Sequence, residues 1–213
     1  MLRIVVPNGP LRAPSLELLA AAGAGEGVTS LAAADLPSYL LLGAADVGLV
    51  AKDVLLERAS GLCELLDLQF GGAVLVYAIA PGAAARAHRL GRLRIATRHP
   101  ALTRAYFAAQ GVHVAVVEVA GSLARAAADG LADGVVALVD DPPRVASGGP
   151  LHSASGDVSD AARPRVAGLT VEGVVATSSV RLVCSRGARV LRTAELGALV
   201  ARLRDLTVTK EPT

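Results

Sequence analysis

Aromatic side chains are scarce in this 213-residue chain: Phe, Trp and Tyr together make up 2%, and there is no tryptophan. Because proteins that bind single-stranded nucleic acid stack bases on aromatic rings, this scarcity argues against that class of protein. An excess of charge of one sign is also lacking, since 21 basic and 19 acidic residues leave a net charge of +2. The sequence therefore predicts no polyanion-binding face and no nucleic-acid partner.

Cysteines and long apolar runs are few as well. Cys63 and Cys184 lie far apart in the sequence, with no second thiol or histidine at metal-ligand spacing. This argues against a structural zinc site and a disulfide framework, so we expect no protein-held metal and a reducing, cytoplasmic location. The amino terminus lacks the pattern of an export signal. The most apolar stretches, such as Gly72 to Ala80, are much shorter than the roughly 20 residues of a membrane-spanning helix, so no membrane partner is predicted.

Apolar residues make up 53% of the chain, and runs rich in valine and isoleucine alternate with helical patterns. That alternation is typical of an α/β fold, in which helices cover mostly parallel sheets. The predicted strands are 2–6, 47–50, 62–68, 73–80, 93–96, 113–119, 135–139, 171–176 and 180–184. The predicted helices are 14–22, 36–42, 53–58, 101–109, 122–129 and 193–206.

The pattern restarts near Arg92, after a Pro-Gly break at Pro81. It predicts two lobes, each a mostly parallel sheet flanked by helices. Residues 1–85 plus 171–213 form the first lobe, and residues 86–170 form the second, with a long loop over 140–170 that is dense in Pro, Gly, Ser and Asp. We expect a cleft between the lobes, because ligands of α/β proteins bind near the carboxyl ends of parallel strands.

A set of short segments occurs in a fixed order along nearly the whole chain. Residues 6–11 read Val-Pro-Asn-Gly-Pro-Leu, and residues 43–57 read Gly-Ala-Ala-Asp-Val-Gly-Leu-Val-Ala-Lys-Asp-Val-Leu-Leu-Glu. The other segments are 35–39, 64–72, 95–107, 121–122 and 130–136. Together they resemble the short form of ATP phosphoribosyltransferase, the enzyme of the first step of histidine biosynthesis.

The resemblance implies a topology like that of type II periplasmic binding proteins and a glycosyltransferase reaction. In that reaction N1 of ATP attacks C1 of the ribose of phosphoribosyl pyrophosphate, and pyrophosphate leaves with Mg²⁺, which accompanies the substrates. Positioning and charge stabilisation supply the acceleration, so no covalent intermediate is expected and no catalytic side chain is assigned. The resemblance also implies a homo-oligomer and a regulatory subunit resembling histidyl-tRNA synthetase.

Two groups of site residues are carried over from the resemblance. The turn after the first strand and the start of a later helix would bind ATP, and the second lobe would bind phosphoribosyl pyrophosphate. The expected ATP-binding residues are Pro7, Gly9, Leu11 and Lys52, and the expected donor-binding residues are Gly121, Ser122, Asp140, Ser147 and Gly148.

The chain departs from the family where the sugar phosphate would bind. The family has a Thr-Gly-x-Thr-Leu turn after an acidic residue, whereas here Asp140 is followed by Asp141, Pro142 and Pro143. Two prolines remove two amide donors from a turn that would hold a phosphate. Basic residues that the family has at other positions of the site are also missing from this chain. Lys52, Arg98 and Arg104 are among the basic residues that remain. A catalytically degenerate paralogue that binds ligands or subunits is therefore an alternative hypothesis, and a cytosolic solute-binding module of similar topology is a third.

Several of these residues also have structural interpretations that the sequence leaves open. Asp53 is either a helix cap beside a solvated Lys52 or part of a cleft-lining pair. Ser122 is either a helix N-cap or a phosphate contact. The pair 71–72 is either a bulge or hinge between strands or a ligand contact. For His99 we expect a surface role, because no acidic or thiol partner is near it in the sequence.

Overall fold

The computed structural model describes residues 1–58, 61–80, 82–83, 92–139, 165–166 and 168–208. The chain divides into two compact units, Met1–Gly72 with Ser178–Thr213 and Ala73–Thr177. Each unit is a sheet flanked by helices, so the predicted α/β class with two lobes is confirmed. Among the helices of the described ranges, none combines the length and hydropathy needed to cross a membrane.

The described residues of the first unit form five strands and five α-helices. The strands are β1 (Ile4–Pro7), β2 (Val28–Leu31), β3 (Val47–Ala51), β4 (Cys63–Asp67) and, late in the chain, β11 (Val180–Cys184). The helices are α1 (Arg12–Ala21), α2 (Leu36–Leu41), α3 (Lys52–Arg58), α6 (Arg186–Leu191) and α7 (Thr193–Val208), and a 3-10 turn spans Gly9–Leu11.

The first sheet has the strand order β2-β1-β3-β11-β4. β1 runs parallel to β2 and β3, whereas β11 lies antiparallel between β3 and β4. The carboxyl ends of β1, β3 and β4 therefore lie at one edge of the sheet, beside the first residue of β11. We call this edge the first carboxyl edge.

Alternation along the strands places apolar side chains on both faces of this sheet, as expected for a strand covered on two sides. Ile4 and Val6 of β1 pack in one cluster with residues of α1 and α7, such as Leu19 and Leu199. Val5, between them, packs in another cluster with Leu36 of α2 and other apolar residues. The sheet is thus buried between two layers of helices.

The second unit has strands β5 (Ala73–Ile79), β6 (Leu93–Thr97), β7 (Val114–Glu118), β8 (Gly134–Val139), β9 (Arg165–Val166) and β10 (Leu169–Ser178), whose last residue belongs to the first unit. Its helices are α4 (Pro100–Ala109) and α5 (Leu123–Ala128). The sheet order is β7-β6-β8-β5-β10-β9, with β6 parallel to β7 and β8, and β5 antiparallel to β8. Phe107 of α4 packs on one face of this sheet and Ala126 of α5 on the other.

The structure divides the chain at 72/73 and 177/178, rather than at the expected 85/86 and 170/171. The reason is strand pairing, because β5 pairs with β8 and β10 lies beside β5 in the second sheet.

Two elements of the first unit, β2 and α6, were not predicted from the sequence. β2 has the sequence Val-Thr-Ser-Leu, whose two central residues are polar, so its apolar pattern is weak. None of its residues is fully buried.

Candidate functional site

The turn after β1 holds three of the expected ATP-binding residues at the first carboxyl edge. Pro7 ends the strand and is buried, and the next N–H, that of Asn8, donates to the carbonyl of Leu31 at 2.7 Å. Gly9 has φ +80°, a left-handed conformation that favours glycine, and no atom lies within 4 Å of where its Cβ would be. The Leu11 carbonyl accepts a hydrogen bond from the hydroxyl of Ser15 at 2.6 Å. Hydrogen bonds to its main-chain groups thus hold the turn, and Gly9 stays accessible to a ligand.

Lys52, the fourth expected ATP-binding residue, is at the same edge because it follows β3 directly and β3 adjoins β1. Its N–H donates to the Ser179 carbonyl at 3.0 Å. Its ammonium group forms an ion pair with the carboxylate of Glu64, and the two side chains are 26% and 37% exposed. The charge that was predicted to meet ATP phosphates therefore already has a counter-ion, which comes from β4.

A buried contact at this edge was not predicted from the sequence. The hydroxyl of Ser178 donates to Oδ1 of Asp53 at 2.5 Å and accepts from the Asp53 N–H at 3.1 Å. Both residues are buried, and Asp53 lies inside the first turn of α3 instead of preceding it. The contact fixes the start of α3 to the point where the chain enters the first unit again. Because 125 residues separate the partners, no local signal could have found it.

A second carboxylate, that of Asp67 at the end of β4, holds the neighbouring hydroxyl. Ser179 Oγ donates to Asp67 Oδ1 at 2.9 Å, and the guanidinium of Arg181 lies 2.9 Å from Asp67 Oδ2. The first carboxyl edge therefore consists of a turn with an accessible glycine and a set of paired charged groups.

The expected donor-binding residues Gly121 and Ser122 lie in the second unit, between β7 and α5. Ser122 Oγ accepts a hydrogen bond from the Arg125 N–H at 3.3 Å, which makes Ser122 the N-cap of α5. The carbonyl of Gly121 accepts from Nη2 of Arg98 at 2.8 Å. The structural interpretation of Ser122 is thus observed, and its contact with a phosphate stays a prediction.

Arg98, His99 and Ser122 line an open cavity of about 470 Å³ together with Ala137 of β8. Arg98 follows β6, so the cavity lies at the carboxyl ends of β6 and β8, where ligands of α/β proteins bind. The backbone beneath it is fixed by Thr97, whose hydroxyl donates to the Val136 carbonyl at 3.1 Å and accepts from the His99 N–H at 2.9 Å. A guanidinium group beside main-chain groups suits a phosphate.

The remaining expected donor-binding residues, Asp140, Ser147 and Gly148, lie outside the described residues, as do Asp141 and the two prolines. Within the described ranges, no three His, Cys, Asp or Glu side chains are grouped as a metal site. Mg²⁺ bound together with the substrates therefore stays a prediction, and so does its contact with Asp140.

Sequence comparison relates the chain to one family. The HisG family model, described as ATP phosphoribosyltransferase, matches residues 32–141. An ATP phosphoribosyltransferase of Symbiobacterium thermophilum is 36% identical over 174 residues, which cover 81% of this chain and 70% of the relative. An ATP phosphoribosyltransferase of Deinococcus radiodurans is 33% identical and covers 97% of this chain and 91% of the relative.

Structure comparison identifies the same fold in two kinds of protein. A chain of the ATP phosphoribosyl transferase (HisG:HisZ) complex from Thermotoga maritima is similar with a TM-score of 0.75, 21% identity and coverage of 99% of this chain and 100% of that chain. The P235GK mutant of ArgBP from T. maritima is similar with a TM-score of 0.56, 16% identity and coverage of 97% of this chain and 89% of that chain.

Proposed function

The chain belongs to the ATP phosphoribosyltransferase family, and we propose that it transfers the phosphoribosyl group of phosphoribosyl pyrophosphate to N1 of ATP. The observation that carries the proposal is the similarity to enzymes of that name over 81% or more of the chain. The reaction joins a nucleotide to an activated pentose at the start of histidine biosynthesis. We place it in the cytoplasm, and Mg²⁺ accompanies both substrates.

In this proposal the first carboxyl edge binds ATP. The exposed turn at Gly9 has no side chain in the way of a ligand, so a nucleotide can approach the backbone closely. Lys52 supplies positive charge beside that turn once it releases Glu64. These groups bind and orient the nucleotide, and the attacking atom N1 belongs to ATP itself.

The cavity at Arg98 binds the donor. The Arg98 guanidinium is exposed and is anchored by its hydrogen bond to Gly121, which leaves other N–H groups for phosphate oxygens. Negative charge develops on the pyrophosphate as it leaves, and a fixed guanidinium stabilises that charge without having to reorganise. Mg²⁺, when bound, neutralises the phosphates.

The test is release of pyrophosphate by the purified full-length protein with ATP, phosphoribosyl pyrophosphate and Mg²⁺, with and without a HisZ-like subunit. We expect turnover, and we expect Arg98→Gln to raise KM for the sugar donor by about 10- to 100-fold, since a charge-assisted hydrogen bond is lost. Arg125→Gln is the matched control, because Arg125 of α5 pairs with Asp129, the residue that follows this helix. Absence of both turnover and donor binding by calorimetry would favour the catalytically degenerate paralogue.

We also propose that the chain forms a homo-oligomer that binds a regulatory subunit of the HisZ kind. The name of the T. maritima complex supports this, and so does a patch of exposed leucines on the first unit. Leu41, Leu42 and Leu191 are 51%, 85% and 82% exposed and line one groove of about 750 Å³. Arg186, also exposed, lines the same groove. This patch suits an apolar partner surface that carries acidic groups.

The assembly is tested by light scattering after gel filtration of the chain mixed with a HisZ-like subunit. The double substitution Leu42→Glu and Leu191→Glu should abolish the mixed complex, because it places two buried charges in the contact. Leu131→Glu, at a half-exposed leucine of the second unit, is the control. If the double variant instead changes only the mass of the chain alone, the patch is the homo-oligomer contact.

A further inference from the structure

The two cysteines, 121 positions apart in the sequence, face each other in the first sheet. β11 and β4 are antiparallel, and Cys184 lies directly opposite Cys63 in their register. In an antiparallel pair, opposite Cα atoms are about 4.5 to 5.5 Å apart, and disulfides span Cα separations of about 4.4 to 6.8 Å. The backbone thus places the two thiols at bridging distance, although both are free in the structure.

Both side chains lie on the same face of the sheet, because both pack in the cluster beneath α1 and α7. Cys184 is fully buried, whereas Cys63 is partly exposed. The Cys63 thiol is therefore the one that a dissolved reagent can reach. A register shift between Leu182 and Val183 interrupts the ladder next to the pair, which gives β4 local freedom to adjust to a bridge.

We propose that Cys63 and Cys184 are a reversible oxidation site that closes to a disulfide when a low-molecular-weight disulfide, such as oxidised glutathione, reaches Cys63. The Cys63 thiolate attacks a sulfur of the small disulfide, forms a mixed disulfide and releases one small thiol. The Cys184 thiolate then attacks the Cys63 sulfur, forms the cross-strand bond and releases the second small thiol. The two protein thiols supply two electrons and two protons, and the small disulfide is reduced to two thiols.

The second step depends on pH, because it needs the thiolate of the buried Cys184. Burial, and next the nearby Cys63 thiol, raise the pKa of the Cys184 thiol above its ordinary value, against the opposing effect of the positive charge of Arg189 in α6. At pH values below the pKa, the reactive thiolate is then a small fraction of Cys184, and this fraction rises about tenfold for each unit by which the pH is raised. Closure is therefore expected to quicken as the pH rises, at fixed concentration of the small disulfide.

A bridge at this position would tie together the two segments of the first unit, Met1–Gly72 and Ser178–Thr213. Those segments are separated by the whole second unit in the sequence, so the bond closes a long loop of the unfolded chain. A cross-link of that kind removes conformational freedom mainly from the unfolded state. Oxidation is thus expected to strengthen the first unit.

The experiment incubates the full-length protein with oxidised glutathione over a range of pH. We expect a mass decrease of two hydrogen atoms, one linked peptide pair containing Cys63 and Cys184, and a rise in Tm of about 5 °C or more. Dithiothreitol should reverse all three. Cys184→Ala should stop at the glutathione adduct of Cys63, and Cys63→Ala should not react, because the remaining thiol is buried.

A stable glutathione adduct on Cys63 of the unsubstituted protein, with no linked peptide at any pH, would overturn the proposal. So would equal labelling of both thiols by iodoacetamide in the reduced folded protein, since the proposed order needs Cys63 to react first. If Cys184→Ala fails to fold, Cys184→Ser and this labelling still give the test. None of these readouts depends on the phosphoribosyltransferase activity.

Discussion

Lys52 has a counter-ion at the position where the family resemblance expects it to contact ATP. The ammonium group pairs with Glu64, and both side chains are partly exposed, so the pair is open to competition. A nucleotide phosphate carries more negative charge than one carboxylate and can displace it. If Lys52 binds ATP as proposed, the pair reduces the affinity for ATP by the free energy needed to separate it, which for exposed pairs is about 0.2 to 1 kcal/mol.

We predict that Glu64→Gln lowers KM for ATP by about 1.4- to fivefold and that Lys52→Met raises it. The reason is that the first substitution removes a competitor for the ammonium group, while the second removes the group itself. Steady-state kinetics with varied ATP measures both. Glu118→Gln, at an exposed position in the second unit, serves as the control. Unchanged KM in Glu64→Gln together with a lower Tm would make the pair structural only.

Asp46 and Arg3 form a second ion pair of the first unit, and its effect depends on pH. The Arg3 guanidinium donates to both carboxylate oxygens of Asp46, at 2.7 and 3.2 Å, and the Arg3 N–H donates at 2.8 Å. The hydrogen bond from the Arg3 side chain is the main cause that lowers the pKa of Asp46, against the opposing effect of partial burial. Because the folded pKa is depressed, the stabilisation is present above the unfolded pKa and is lost as pH falls through the folded pKa.

Asp46→Asn is therefore expected to lower the free energy of unfolding by about 1 kcal/mol at pH 7, since solvent screens the exposed Arg3 guanidinium, and by less near pH 3. Urea denaturation at the two pH values measures the difference. Asp129→Asn, which removes one partner of an exposed pair within α5 and the adjoining turn, should change stability by less than about 0.5 kcal/mol. An equal loss for Asp46→Asn at both pH values would contradict the assigned role of the carboxylate charge.

At the scale of elements, the loop after β4 packs against the turn after β1. Gly71 has φ +63°, and a Cβ there would lie 2.6 Å from Cδ2 of Leu11 and 3.0 Å from Cγ2 of Val180. The same loop is bonded to the start of β11, because the Val180 N–H donates to the Phe70 carbonyl at 3.0 Å. Close packing at Gly71 is neither of the two interpretations that the sequence left open, which were a bulge or hinge between strands and a ligand contact.

Gly71→Ala should destabilise the protein through both backbone strain and overpacking. Gly130→Ala is the matched control, because Gly130 has φ +74° and nothing within 4 Å of its Cβ position. We expect the control to cost about 1 to 2 kcal/mol from strain and Gly71→Ala to cost about 1 to 3 kcal/mol more. Urea denaturation of both variants gives the difference, and equal losses would show that Leu11 moves aside freely.

At the scale of the whole molecule, the first unit is assembled from the two ends of the chain. β11 comes from the carboxyl-terminal segment and lies between β3 and β4. α7 covers the same sheet through Leu196, Leu199 and Leu203. The second unit is contained within one continuous stretch, Ala73–Thr177. The stability of the first unit therefore depends on residues that are last in the sequence.

A chain that ends after Thr177 is expected to lose the native first unit, because β4 has no strand partner in the described sheet except β11. A chain that ends after Val208 keeps every described element and should retain the Tm of the full chain. Thermal unfolding by circular dichroism, with amide NMR spectra, distinguishes them. A native-like spectrum for residues 1–72 in the shorter chain would contradict this dependence.

Much of the fold was predictable from local patterns. The predicted strand 180–184 has the same bounds as β11, and the helix predicted to start at residue 193 is α7, because strong apolar periodicity marks both. β2 and α6 were missed, since neither has a long apolar pattern. For the candidate site, the sequence predicted that Lys52 lies next to a strand end. Its partner Glu64 lies on β4, so the ion pair forms only because β11 and β4 pair beside β3 in the first sheet.

The sequence by itself determined the α/β class and the family, because apolar periodicity and short motifs are properties of residues that lie close together along the chain. Only the tertiary structure decided that Lys52 has a counter-ion, that Ser178 holds Asp53 and that two distant cysteines meet. Those contacts join residues up to 125 positions apart. They follow from strand order and register, which depend on how the whole chain buries its apolar faces.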